Sequence, residues 1–129
     1  GRLRTAGVEI IAVETLARES CRDPLFASDL GISVPDFLIA ETGTIVLRAR
    51  PDEPRSVSLL PPVHVVVAER AHLVPDLFDL FENQAPSGIP RLPSCLTLIT
   101  GPSKTGDIEL RLVTGVHGPG DVHVFLIDG

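Results

Sequence analysis

Residues 63–68 read Val-His-Val-Val-Val-Ala, and residues 122–127 read Val-His-Val-Phe-Leu-Ile. Both stretches are apolar almost throughout, most clearly at Val65-Val66-Val67 and at Val124-Phe125-Leu126-Ile127. Continuous apolar runs of this length are typical of strands that are covered on both faces, as in a mostly parallel sheet. These segments therefore predict an α/β fold with a mainly parallel central sheet flanked by helices.

Further short apolar runs, most of them bounded by Gly, Pro, Asp or Ser, extend this pattern over the chain: Val8–Val13, Phe37–Ala40, Ile45–Ala49, Val57–Leu60 and Leu96–Thr100. The pattern becomes helical where Leu73, Leu77 and Phe81 recur every fourth residue, with Pro75 acceptable only in the first turn. A weaker helix is predicted over Glu14–Arg22. Turns are predicted within Ile39–Ile45 and over Pro51–Pro54.

The bulk composition restricts the class of protein. A length of 129 residues suits one domain, residues 1–129, and 43% apolar with 22% charged residues is a globular composition. The net charge of −6, without any Lys/Arg run, argues against a nucleic-acid partner. No apolar segment reaches the roughly 20 residues of a membrane span, and no secretory leader is visible. We therefore expect a cytoplasmic protein, and Gly1–Thr5 do not resemble a natural start.

Metal and cofactor chemistry receives little support from the sequence. Cys21 and Cys95 are far apart and have no metal-ligand spacing, so we expect two reduced cysteines, with a disulfide or a reactive thiol as the alternatives. No histidine or cysteine pair has the spacing of a zinc site, no Gly-x-Ser-x-Gly elbow occurs, and no Rossmann glycine fingerprint follows the first strand. No metal and no cofactor is predicted.

Three glycine-containing polar segments follow or separate the apolar runs, where ligands collect in open α/β sheets. In the first, Glu41-Thr42-Gly43-Thr44, Gly43 allows close backbone approach and the threonines offer hydroxyl donors for a carboxylate or phosphate. A polar turn that satisfies its own backbone is the alternative. Glu41 is a candidate catalytic acid.

The second segment is Thr100-Gly101-Pro102-Ser103-Lys104-Thr105-Gly106-Asp107-Ile108-Glu109. Ser103, Lys104 and Thr105, together with Gly101, could form an anion-binding nest with a cation beside it, although the glycine spacing is not that of a P-loop. On a strand, Asp107 and Glu109 would share a face. The two carboxylates could then bind a divalent cation, or their repulsion could raise the pKa of one of them. Asp107 could equally cap a helix, and a plain loop is the structural alternative.

The third segment, Gly115-Val116-His117-Gly118-Pro119-Gly120, places a histidine between glycines. His117 could act as an acid, a base or an orienting donor, or it could be a solvated turn residue. His64, at the opening of a central strand, is interpreted as a core or strand-end histidine bonded to the backbone. The two loops after Ala40 and Thr100 are predicted to lie at one edge of the sheet.

Four ordered motifs resemble the LUD-domain family: Ala40–Thr44, Leu59–His64, Gly101–Glu109 and Gly115–Pro119. The resemblance extends from about Asp29 to Asp128 and departs from the family pattern at Gly106, where alanine is expected. It also implies that the amino-terminal third is shorter than in the family and is incomplete here.

The resemblance implies the fold of sugar-phosphate isomerases and CoA transferases (NagB/RpiA/CoA-transferase-like). It further implies a cluster-free subunit of a bacterial system that oxidises L-lactate to pyruvate beside iron–sulfur partner subunits, binding a small carboxylate or phosphate. Two other functions remain open: a stand-alone enzyme on a phosphorylated or CoA-linked substrate, by fold analogy, and a non-catalytic interaction module. A formed pocket distinguishes the first two from the third, which needs an exposed apolar patch.

Overall fold

A computed structural model of the protein describes residues 6–12, 27–49, 56–84, 95–106, 112–114 and 118–128. The strands in these ranges are β1 (Leu30–Ser33), β2 (Phe37–Ile39), β3 (Thr44–Arg48), β4 (Val63–Glu69), β5 (Leu73–Val74), β6 (Leu96–Ile99), β7 (Lys104–Gly106), β8 (Leu112–Thr114) and β9 (Asp121–Ile127). The helices are α1 (Ser56–Leu59) and α2 (Leu77–Gln84), with a 3₁₀ turn at Arg70–His72.

The strands form separate sheets of different character. One sheet has the order β1-β4-β9 and is parallel throughout, with Gly31 opposite His64 and Val66 opposite Val124. A second has the order β5-β2-β3-β6, in which β2 is antiparallel to β3, β3 is antiparallel to β6, and only β2 and β5 are parallel. Strands β7 and β8 form a two-stranded antiparallel ribbon. The α/β class is therefore confirmed.

The prediction of one mainly parallel central sheet holds for β1-β4-β9 and is wrong for the second sheet. The reason lies in the connection between β2 and β3, which consists of residues 40–43 alone. Antiparallel strands can be joined by so short a turn, whereas a parallel pair needs a crossover of a dozen or more residues. The turn that was predicted between Ile39 and Ile45 is present, and it imposes the antiparallel pairing.

Two apolar clusters bury opposite faces of the second sheet. On one face, Leu38 and Ile45 pack with Val66 and Ala68 of β4, so the two larger sheets contact one another there. On the other face, Leu80 of α2 packs with a buried set from β2, β3 and β5, namely Ile39, Val46 and Val74. The described part of the chain is therefore layered as sheet, sheet and helix.

Helix α2 begins later than the sequence pattern predicted and buries a different face. Asp76 accepts hydrogen bonds from the backbone N–H groups of Phe78 (2.8 Å) and Asp79 (3.0 Å), which satisfies amide donors of the first turn. The predicted apolar face of Leu73, Leu77 and Phe81 is exposed, and Leu80 is fully buried instead. Leu73 itself belongs to β5, because it pairs with Leu38.

Two other segments test the predicted elements, and two lie outside the described residues. The run Val57–Leu60, predicted as a strand, lies mostly in α1. Residues 8–12 of the run Val8–Val13 form no strand. The predicted helix Glu14–Arg22 and the predicted turn Pro51–Pro54 lie outside the described residues. No helix in the described ranges is long and apolar enough to span a membrane.

Candidate functional site

The β2–β3 turn and the segment after β6 meet at one edge of the second sheet, as the sequence predicted. Antiparallel pairing sets Ile45 opposite Ile99, so the next pair, Thr44 and Thr100, lies at the end of the ladder. The hydroxyl of Thr44 is 2.8 Å from that of Thr100 and 2.5 Å from that of Thr42. Three threonine hydroxyls therefore form a hydrogen-bonded chain that joins the two segments.

This threonine chain (Thr42, Thr44 and Thr100) can donate to a ligand. Each hydroxyl carries one O–H donor, and two hydrogen bonds among three hydroxyls use two of those donors. The third donor remains for a partner outside the chain. Thr44 is buried while Thr42 and Thr100 are exposed, so an outer hydroxyl is accessible from solvent.

Two backbone N–H groups at the predicted anion site, those of Gly43 and Ser103, already have acceptors within the protein. Gly43 has a φ of +67°, which its lack of a side chain permits, and its N–H donates to the carbonyl of Ile39 at 2.9 Å. The N–H of Ser103 donates to the carbonyl of Pro119 at 2.8 Å. The first bond closes the β2–β3 turn and the second joins two segments distant in the chain, so both amide donors are already used.

The remaining predicted site residues are distributed as follows. Glu41 is exposed in the turn, and its N–H donates to the carbonyl of Pro75 at 3.1 Å. Lys104 and Thr105 lie on β7, opposite Thr114 and Val113 in the register. Gly101, with a φ of +81°, is exposed directly after β6 and Thr100. Asp107 and His117, the other two catalytic candidates, lie outside the described residues, as does Glu109.

A cavity of about 250 Å³ lies beside the contact between the two larger sheets. Its polar lining comes from one imidazole and several hydroxyl side chains: His64, Ser58, Thr97, Thr100 and Ser103. Its apolar lining comes from Leu59, Leu98, Ile99, Pro119 and Val122. Glu41 is not among the described residues that line it. The cavity therefore combines the second predicted segment with strands that the sequence did not mark as functional.

His64 is the most deeply buried polar residue at this cavity. Its side chain lies on the same face of β4 as those of Val66 and Ala68, and none of its surface is exposed. Its Nε2 is 2.7 Å from the hydroxyl of Ser33, a buried residue of the neighbouring strand β1. Its Nδ1 is buried without a hydrogen-bond partner among the described residues. Burial lowers the pKa of His64 below its ordinary value of 6.5, which favours the neutral ring.

Sequence reasoning interpreted His64 correctly as a core residue and missed its role at the cavity. The ring bonds a serine hydroxyl rather than the backbone, and the alternation of buried residues along β4 is what turns it towards the second sheet. Thr97 was missed because it lies within an apolar run. Thr100 opens the second predicted segment but was not among its predicted ligand-binding residues. The motif Leu59–His64 was a usable signal, since both of its end residues line the cavity.

The fold and the site define a small α/β domain with a hydroxyl- and imidazole-lined cavity between its sheets. The sequence profile of the LUD domain matches residues 4–127. The chain therefore belongs to the LUD-domain family.

Curated relatives agree with this assignment. Lactate utilization protein C of Halalkalibacterium halodurans is 44% identical over 95 residues, which cover 71% of this chain and 41% of that protein. The protein of the same name from Bacillus subtilis is 40% identical over 95 residues, covering 71% and 39%. The chain thus spans about two-fifths of the length of these relatives.

A solved structure supports the fold. The crystal structure of a DUF162 family protein from Deinococcus radiodurans superposes with a TM-score of 0.57 at 27% identity. The match covers 88% of this chain and 59% of that one.

Proposed function

We propose that this chain is part of a cytoplasmic, cluster-free subunit that acts in bacterial L-lactate utilisation, in the oxidation of lactate to pyruvate. Support comes from membership of the LUD-domain family and from relatives named lactate utilization protein C. Iron–sulfur subunits of the same system are the proposed partners. We also propose that residues 1–129 belong to a single LUD domain with the NagB/RpiA/CoA-transferase-like fold.

A small carboxylate or phosphate is the proposed ligand, bound where the β2–β3 turn meets residues 100–105. The hydrogen bond of 2.8 Å between Thr44 and Thr100 carries this proposal, because it joins two segments that are 56 residues apart in the chain. Hydroxyl donors of the threonine chain would contact the anion, supplemented by Ser103 and Thr105. Lys104, the single lysine of the chain, would supply the positive charge.

Three acidic or basic groups are proposed only as candidates for proton transfer. Glu41 is exposed in the turn, and an ionised carboxylate would repel an anion beside it. It must therefore be turned away, paired or protonated when the ligand is bound. Asp107 and His117 remain candidates on their positions in the second and third motifs alone.

Calorimetric titration with L-lactate, pyruvate and phosphate tests the anion site. A charge-assisted hydrogen bond contributes about 1.5–3 kcal/mol, so Lys104→Ala should weaken binding about tenfold to a hundredfold. Lys104→Arg keeps the positive charge and should therefore lose less affinity for the anion than Lys104→Ala. Arg70→Ala is a matched control, since Arg70 is an exposed cation that forms an ion pair with the exposed Asp128. Equal affinity of wild type and Lys104→Ala would exclude Lys104.

Growth of a deletion strain tests the physiological role. Removal of the gene should impair growth on L-lactate while growth on glucose is unchanged. A plasmid copy of the gene should restore growth on L-lactate. Normal growth on lactate in a strain without a duplicate gene would overturn the proposal.

A further inference from the structure

The observation behind this inference is a buried, unpartnered nitrogen on a histidine that lines a cavity. His64 is fully buried, its Nε2 is bonded to Ser33, and its Nδ1 has no partner among the described residues. More than nine-tenths of buried polar groups in proteins are hydrogen-bonded, and one left unsatisfied costs about 1–3 kcal/mol. Because His64 lines the cavity, a partner for Nδ1 can come from a molecule inside it.

The lining indicates the chemistry of that molecule. The hydroxyls of Thr97, Thr100 and Ser103 accompany the imidazole, and no Asp, Glu, Lys or Arg is among the described residues that line the cavity. A singly charged ligand therefore suits the described part of the lining better than a doubly charged phosphate does. The apolar side of the lining suits a ligand with a hydrocarbon part.

The volume of the cavity also suits a small organic molecule. The cavity of about 250 Å³ far exceeds the roughly 30 Å³ that one water molecule takes up in the liquid. Leu59 and Leu98, both partly exposed, belong to the lining, so the cavity is reached from the surface. A molecule with a few carbon atoms fits both the volume and the mixed lining.

We propose that this cavity binds a short-chain monocarboxylate, with one ligand oxygen hydrogen-bonded to His64 Nδ1 and the hydrocarbon part against Ile99 and Val122. Ser33 is a positioning residue in this arrangement. When its hydroxyl donates to Nε2, the proton of the neutral ring lies on Nδ1, where it can be donated to the ligand. The proposal deepens the proposed function and rests on it only for the choice of probes.

Two substitutions of His64 separate the ligand contact from the Ser33 contact. Asparagine places its amide near the position of Nδ1, and glutamine places its amide near that of Nε2. His64→Asn therefore retains a donor towards the cavity and loses the bond to Ser33. His64→Gln retains the bond to Ser33 and loses the donor towards the cavity.

The experiment titrates L-lactate, pyruvate and inorganic phosphate into wild type and both variants by calorimetry, and measures the midpoint of thermal unfolding. His64→Gln should bind pyruvate or lactate about tenfold to a hundredfold more weakly, which corresponds to the loss of one charge-assisted hydrogen bond. His64→Asn should bind more tightly than His64→Gln while unfolding at a lower temperature. A purely structural role would instead make affinity follow thermal stability.

The remaining outcomes decide between the two sites. If pyruvate binding falls with Lys104→Ala and is unchanged in His64→Gln, the loop anion site stands and the cavity proposal is wrong. If it falls with His64→Gln and is unchanged in Lys104→Ala, the cavity proposal stands and the loop site is wrong. Phosphate that binds wild type as tightly as pyruvate, and is weakened to the same extent in His64→Gln, overturns the monocarboxylate assignment. No binding of any probe to wild type overturns both.

Discussion

Strands β4 and β9 are neighbours in one parallel sheet and look alike in sequence, yet the structure gives them different surroundings. They pair over their full lengths, from Val63 opposite Asp121 to Glu69 opposite Ile127. In β4, His64, Val66 and Ala68 have no exposed surface. In β9, every side chain from Val124 to Ile127 is exposed by 46% or more.

The difference follows from position in the fold rather than from residue type. Strand β4 lies between β1 and β9 and packs its buried face against Leu38 and Ile45 of the second sheet. Strand β9 is at the edge of its sheet in the described part of the chain, and of its residues only Val122 packs against that core cluster. The sequence prediction that both runs are covered on both faces is therefore wrong for β9.

The largest difference in the free energy of unfolding is expected when an aspartate replaces one or the other of two paired residues, Val66 on β4 or Val124 on β9. Val66→Asp buries an unpaired carboxylate and should lower the free energy of unfolding by about 3–5 kcal/mol. Val124→Asp, at the opposite position of β9, should cost about 1 kcal/mol, because this side chain is 46% exposed. Urea unfolding of both variants measures the difference. Equal losses would show that β9 is as fully covered as β4.

A smaller effect is expected from pH, through the buried histidine of β4. The pKa of folded His64 lies below the 6.5 of the unfolded chain, so the unfolded state binds more protons between these values. Stability should therefore be complete above about pH 6.5 and should be lost as pH falls towards the folded pKa. Unfolding free energies measured from pH 8 to pH 5 test this.

Matched variants assign the pH dependence to one strand. His64→Gln removes the titrating group and should flatten the profile over this range. His123→Gln, at an exposed position of β9, should leave the shape of the profile as in wild type. A wild-type slope that persists in His64→Gln would contradict the assignment to β4.

The smallest effect is expected at the exposed end of β9. Phe125 is 57% exposed, and threonine keeps a good strand propensity, so Phe125→Thr should change the free energy of unfolding by only about 0.5 kcal/mol. Thermal unfolding beside wild type measures this. A loss above about 2 kcal/mol would mean that this face of β9 is packed.

Much of the candidate site could be predicted from local sequence. The glycine-centred turn at Gly43 and the segment after Thr100 were correctly expected to meet at one edge, because each follows or joins short apolar strands. Two amide donors there are not free for a ligand, since the N–H groups of Gly43 and Ser103 donate to the carbonyls of Ile39 and Pro119. Whether an amide is satisfied depends on the path of the whole loop, and for Ser103 the acceptor is distant in the chain.

The sequence by itself determined the α/β class, the short strands and the tight β2–β3 turn, because residue periodicity and glycine conformation act over a few neighbouring residues. It also carried the ordered motifs of the LUD-domain family. Only the tertiary structure decided which apolar strand is buried, that Leu80 rather than Leu77 faces the core, and that Ser33 meets His64 beside a cavity. Those contacts join residues far apart in sequence, so they depend on how the sheets pack and not on any local pattern.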